Sequence, residues 1–186
     1  GAKNGASAAA YIAAALSRKV GRPVRCVFDR YGEQIDTGNR SATAQRVTLG
    51  ARRDGTLTAI RMDATIPLGV GGWEAGPGRI YHELHACPTV RTSATFVYTN
   101  AGAMASFRAP GHTEGAFGLE SAMPELARAL ALAALALRRR NYAATDQSRS
   151  RPYSAKHLDE CYRQGAERFG WNDRDLDVGR ICLSAQ

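Results

Sequence analysis

Along LTAIRMDATI, residues 57–66, the apolar side chains of Ile60, Met62, Ala64 and Ile66 fall on alternate positions, the period of a strand with one buried face. The β-rich run QRVTLGARR precedes it, and Asp54-Gly55 between the two is a tight-turn dipeptide, so residues 45–66 are expected to form a hairpin. Alternation of Val24, Cys26 and Phe28 in RPVRCVFDR predicts a second strand site, and VRTSATFVYTN a third. Helical spacing appears elsewhere. AAAYIAAALSRKV has Ser7 as N-cap, Tyr11, Ile12 and Leu16 for a buried face, and Gly21 and Pro23 as a stop. A second helix is expected from Glu114 through Phe117, Leu119 and Met123, with Pro124 in its interior expected to kink it at a cost of about 3 kcal/mol. A third follows Ser154 as cap, with Leu158, Cys161, Tyr162, Ala166 and Phe169 at helical spacing and Gly170 as terminator. The pattern as a whole predicts an α+β fold, a mixed sheet with flanking helices. One region resists it: residues 128–150 open on a low-complexity alternation of Ala, Leu and Arg in which Leu130, Leu132, Leu135 and Leu137 keep no helical stripe.

At 186 residues and 44% hydrophobic, the chain can bury a sizeable core. Its net charge of +8 is compatible with an anionic cofactor, an acidic partner or nucleic acid. The basic residues are scattered, however, and their one cluster, Arg138-Arg139-Arg140, has no interleaved aromatic side chains, so no stacking surface for nucleic acid is expected. No apolar run approaches the roughly 20 residues of a membrane span. Cys26, Cys87, Cys161 and Cys182 form no C-x-x-C pair, which argues against a zinc ribbon and for buried, reduced thiols. His82-x-x-His85 followed by Cys87 has metal-ligand residue types but no fourth ligand at suitable spacing. Glu114, Glu120 and Glu125 read as helix capping and surface charge, and no nucleophile triad or Walker loop is present.

Two loops stand out. PLGVGGWEAGPG, residues 67–78, is long and glycine-rich enough to be functional. SFRAPGHTEGAFGLES, residues 106–121, sets Arg108 between a strand end and a helix start, beside Pro110-Gly111 and His112. An arginine next to free helix N–H groups suits an anionic ligand, while an arginine bonding loop carbonyls explains the same residues equally well.

Six pieces, GAKNGAS, GRPVRCVFDR, TGNRSATAQRVTLGARRDGTLTAIRMDA, YTNAGAMASFRAPGHTEGAFGLESAM, LRRRNYAATDQ and YSAKHLDECYRQGAERFGW, occur in one order and at one spacing that resemble the large molybdopterin-binding subunit of the xanthine dehydrogenase and aldehyde oxidase family, most of all its bacterial aldehyde-oxidising branch. The resemblance implies that residues 1–186 are the middle part of a molybdopterin-binding domain within a longer subunit. It implies that Gly1 and Ala2, in the last part of a glycine-rich loop, and Arg108 with Ala109 contact the molybdopterin, a molybdenum cofactor for which the resemblance also admits the cytosine dinucleotide form. Asn4 and Pro110 then border the substrate pocket. Asn4 stands where purine-oxidising enzymes carry a glutamate, so the implied substrate is an aldehyde or another N-heterocycle, oxidised with water as the oxygen source. Iron–sulfur clusters and FAD are implied on partner subunits, and a cytoplasmic location, with the periplasm as alternative. The family's catalytic glutamate falls beyond Gln186, so no catalytic residue is assigned here and the chain alone is expected not to turn over substrate; the alternative expectation is a non-catalytic basic binding module or an inactive relic of that fold. Pro124, the 128–150 segment and VGRICLSAQ depart from the family pattern.

Overall fold

The structure is a computed structural model, and it describes residues 6–173. The hairpin forms as the alternation requires. Strand β1 (Ala44–Ala51) runs antiparallel to β2 (Leu57–Pro67), with Val47 opposite Met62 and Leu49 opposite Ile60. Gly55 closes the turn at φ +88°, a left-handed conformation that glycine adopts without strain. Strand β3 (Val90–Val97) pairs parallel to β2, Ile60 opposite Val90 and Ile66 opposite Phe96, and the sheet order β1-β2-β3 is therefore mixed. A parallel neighbour needs a crossover, and residues 68–89 supply it through the glycine-rich loop and the short helix α3 (Arg79–Glu83).

Central β2 explains where the core sits. Ile60, Met62, Ala64 and Ile66 are all buried, facing Leu119, Met123 and Ala127 of α4 (His112–Ala129), Tyr81 of α3 and Leu137 of α5 (Ala134–Arg140). Gly111 and Gly115 lie on the α4 face turned to the crossover. A side chain on either would run into backbone carbonyls, of Ala75 and Gly76 at Gly111 and of Pro77 at Gly115. The first turns of α4 thus lie directly on the glycine-rich loop.

Residues 128–150 are built into this core. Ala131 reverses the chain at φ +54°, Leu130 and Leu132 pack against the buried cluster, and α5 delivers Leu137 into it. The leucines keep no single helical stripe because a turn splits them between two helices. Buried Asn141 then ties α5 to the hairpin: its Oδ1 accepts from the Leu57 amide at 2.9 Å, and its Nδ2 donates to the carbonyls of Gly55 at 2.9 Å and Leu137 at 2.8 Å. The small ribbon of β4 (Thr145–Asp146) and β5 (Arg151–Pro152) leads on to α6 (Leu158–Phe169).

Pro124 does not end α4. Proline removes the N–H that would bond the carbonyl four residues back, here that of Glu120, and Arg138 Nη2 donates to this carbonyl at 3.2 Å. The same guanidinium donates through Nε to Glu120 Oε2 at 2.6 Å, and Glu120 Oε1 meets His85 Nε2 at 2.6 Å. A proline in mid-helix is accommodated because a neighbouring helix carries a matching donor.

Several expectations need correction. Residues 22–29 form no strand and join no ladder among the described residues; Val24, Cys26 and Phe28 are half-buried, and the segment runs into the helix α2 (Arg30–Asp36), which the alternation did not suggest. Helix α1 (Ala8–Val20) forms and closes at left-handed Gly21, whose N–H donates to the Ser17 carbonyl at 2.9 Å. Ser7 stands at its N-cap as expected, without a side-chain cap bond, but Tyr11, Ile12 and Leu16 are exposed instead of buried, since no described element covers them. Ser154 does not start α6, which begins after His157, because Lys156 is held upstream by the carbonyl of Ala143 at 2.7 Å and by the rings of Tyr142 and Tyr153. Of the cysteines, Cys87 is buried, Cys26 is half-buried and Cys161 is exposed; Cys182 lies outside the described residues.

Candidate functional site

Three loops meet at the ends of β2 and β3. Residues 37–41 lead into β1, and Ser41 Oγ donates to the Pro67 carbonyl at 2.5 Å. The glycine-rich loop bonds across to residues 101–104, with the Val70 amide on the Ala101 carbonyl at 3.1 Å, the Met104 amide on the Leu68 carbonyl at 2.9 Å and the Trp73 amide on the Met104 carbonyl at 3.1 Å. The Ala105 amide donates to the Asn39 carbonyl at 3.0 Å. The chain that carries Arg108 is thereby flanked on both sides by backbone hydrogen bonds, which sequence spacing alone could not reveal.

Arg108 and Ala109 sit exposed at the tip, and Pro110 is half-buried beneath them. Ala109 has φ +51°, uncommon for a residue with a β-carbon, and Gly111 follows at φ +76° as the N-cap of α4. Gly111 brings no capping side chain, and within the first turn of α4 the His112 amide donates to the Ala109 carbonyl at 3.1 Å. The Arg108 guanidinium has no hydrogen-bond or ion-pair partner among the described residues.

The loop is held by a residue that sequence reading missed. Arg40 Nη2 donates to the Arg108 carbonyl at 2.6 Å, its Nη1 pairs with Glu114 Oε1 at 2.7 Å, and its guanidinium lies over the Phe107 ring, 5.1 Å from the centroid. Glu114 is therefore not a surface charge. It is buried at 9% exposure, receives Arg40 across 74 residues of chain, and its backbone carbonyl accepts from Gln45 Nε2 at 2.8 Å. Glu120 likewise serves His85 and Arg138, and only Glu125 is exposed as expected. Burial tends to raise the Glu120 carboxyl, but the hydrogen bond and charge of His85, followed by those of Arg138, outweigh it and hold the group below the usual carboxylate range.

The remaining candidates separate. His85 is buried against Glu120, His82 Nε2 meets Thr92 Oγ1 at 3.3 Å, and the Cys87 thiol, pushed up by burial, donates to the Thr89 carbonyl at 3.3 Å. Among the described residues no three His, Cys, Asp or Glu side chains group to hold a metal ion. His112 Nε2 lies 3.3 Å from Glu83 Oε2, braced toward α3. In the basic cluster, Arg138 takes Glu120, Arg139 takes Asp159 at 2.7 Å and Arg140 takes Asp54 at 3.4 Å. Gly1, Ala2 and Asn4 lie outside the described residues. The arrangement at Arg108 is a rigid cationic loop backed by a helix N-terminus, a donor set suited to an anionic, hydrogen-bonding ligand.

Comparison with known proteins decides which group of proteins this is. The family profile described as the molybdopterin cofactor-binding domain matches residues 1–142, which include all three loops. The chain belongs to this family. Among its curated relatives, the aldehyde oxidoreductase molybdenum-binding subunit PaoC of Escherichia coli K12 is 30% identical over 173 residues, covering 92% of this chain and 24% of the relative. The xanthine dehydrogenase molybdenum-binding subunit of Escherichia coli O157:H7 is 29% identical over 199 residues, covering 93% and 26%. Among solved structures, the aldehyde oxidoreductase of Desulfovibrio desulfuricans superposes with a TM-score of 0.76 at 23% identity, covering 92% of this chain and 20% of that one, so the α+β fold with its mixed sheet is that of a molybdopterin-binding domain. This chain of the xanthine dehydrogenase and aldehyde oxidase family spans about a quarter of the length of the curated relatives it matches.

Proposed function

We propose that the 98–111 loop forms one wall of a molybdopterin site in a molybdenum hydroxylase, with Arg108 and the Ala109 backbone contacting the cofactor and Pro110 bordering the substrate. The observation that carries this reading is the exposed Arg108, whose guanidinium has no partner among the described residues, on a loop braced by Arg40 and leading into the start of α4 at Gly111. A guanidinium and helix amides are the donors that a phosphate-bearing, carbonyl-bearing pterin requires. Gly1 and Ala2 would add contacts from the chain start, and Asn4 would face the substrate. Bound there, the cofactor supplies the redox-active metal at which an aldehyde, or an N-heterocycle, is oxidised with oxygen from water. The chain's own contribution is to orient the cofactor and to shape the pocket.

The substrate class rests on PaoC being an aldehyde oxidoreductase subunit and on Asn4 replacing a purine-gripping glutamate. The same reading puts iron–sulfur clusters and FAD on partner subunits, admits the cytosine dinucleotide form of molybdopterin, and favours the cytoplasm. No helix among the described residues is long and apolar enough to cross a membrane. The test is the molybdopterin bound per polypeptide in the molybdenum-binding subunit that contains this chain. Arg108→Ala is expected to lower it about tenfold, the worth of one hydrogen-bonded charged contact; occupancy equal to the unmutated protein would overturn the assignment.

A further inference from the structure

Arg40 is remote in sequence from every residue assigned to the site, yet it touches the loop that carries Arg108 at two points and the helix that follows it at a third. Its Nη2 donates to the Arg108 carbonyl at 2.6 Å, its Nη1 to Glu114 Oε1 at 2.7 Å, and its face covers Phe107. Only a planar fork with several fixed donors can meet two acceptors and a ring at once. The Arg108 carbonyl belongs to the peptide that joins Arg108 to Ala109. Fixing that oxygen fixes the peptide plane on one side of the Ala109 N–Cα bond, and the His112 amide on the Ala109 carbonyl at 3.1 Å holds the other side, so the two together keep Ala109 at the unfavourable φ of +51°. A strained alanine keeps such a conformation only when its surroundings enforce it. Glu114 is mostly buried in its turn, so the pair is partly shielded from water and its geometry is not readily exchanged for solvation.

We propose that Arg40, anchored by Glu114, is the positioning residue of the molybdopterin site: it holds the 108–109 peptide in the left-handed turn that aims Arg108 at the cofactor. The proposal rests on the function proposed above. Arg40 itself touches no reacting atom. Its side chain is spent on the loop, while the Arg108 guanidinium, without a partner among the described residues, meets the ligand.

The experiment compares variants of the molybdenum-binding subunit containing this chain, isolated with cofactor. Two quantities are read: molybdopterin retained per polypeptide after extensive dilution, and the unfolding temperature of the cofactor-free protein. Arg40→Lys keeps a charge for Glu114 but cannot reach the Arg108 carbonyl as well, and retention is expected to fall about tenfold with the unfolding temperature little changed. Arg40→Ala should fall at least as far. Adding Ala109→Gly to Arg40→Ala should recover about fivefold, because glycine adopts a positive φ without strain and no longer needs the clamp. Retention in Arg40→Lys equal to the unmutated protein, while Arg108→Ala loses cofactor, overturns the positioning role and leaves the Arg108 assignment standing. A loss in Arg40→Ala that tracks a fall in unfolding temperature and is not recovered by Ala109→Gly also overturns it, in favour of a general structural role. No loss in Arg108→Ala removes the function on which the proposal rests, and the proposal with it.

Discussion

Residues 8–36 and residues 44–143 both carry regularly spaced apolar side chains, and only the second stretch buries large ones; in the first, Ala9 alone is buried among the described residues. In the sheet and its helices, Ile60, Met62, Ile66, Leu119, Met123 and Leu137 are all at 1% exposure or less. In the first stretch Tyr11 is 68% exposed, Val20 55%, Tyr31 73% and Ile35 66%. The two regions obey the same rules of periodicity and capping. They differ in whether the described chain supplies an opposing face. Spacing specifies which side of an element is apolar, while burial depends on what lies opposite it.

The contrast can be broken first in the core. Ile66→Ala removes a fully buried side chain from the central strand and is expected to lower unfolding free energy by about 2–5 kcal/mol in urea melts of the chain. A loss below that range would mean that the sheet is not the stabilising centre. Next is Asn141→Ala, which leaves the Leu57 amide and the Gly55 carbonyl buried without their partner and should cost about 2–3 kcal/mol by the same melts. Arg138→Ala should cost about 2 kcal/mol, and the effect should shrink when Pro124→Ala restores the missing helix N–H; strictly additive costs would refute the link between Arg138 and the proline.

A smaller effect is expected with pH. The Glu120 carboxyl is held below its ordinary value, so in the folded state it binds a proton less readily than in the unfolded state. Its contribution is therefore present above the unfolded pKa of about 4.3 and is lost as pH falls below it. Between about pH 5 and pH 3 the unmutated chain should lose more stability than Glu120→Gln, and parallel curves would show that Glu120 is not preferentially ionised in the fold. Smallest of all is Leu16→Ser on exposed α1, expected to shift stability by less than about 0.5 kcal/mol; a core-sized loss would show that α1 is covered after all.

The same contrast explains what could be read in advance. Asp54-Gly55 and the alternation from Ile60 to Ile66 made the hairpin legible because turn chemistry and pattern are local. Gly21 and Gly170 ended helices for the same reason. Residues 22–29 alternate like a strand, and the pattern was real, but a ladder needs a neighbour, which no sequence period guarantees. At the site, Pro110 and Gly111 signalled a stiff loop around Arg108. The brace itself was not legible, since Arg40 and Glu114 look like ordinary surface charges until the fold joins them. Arg138, the partner of Glu120, was hidden likewise, inside a segment whose composition looked featureless. The nature of the ligand came from resemblance across six ordered pieces, whereas the residues by themselves reached only an anion site or a carbonyl-bonding arginine.

Hydrogen exchange of the 106–111 amides, compared in the protein that carries this chain with and without bound molybdopterin, tests the central claim most directly. If Arg108 and Ala109 line the molybdopterin site, those amides exchange markedly more slowly with the cofactor bound, while α6 is unaffected. Equal exchange of the 106–111 amides in the two states would contradict the claim.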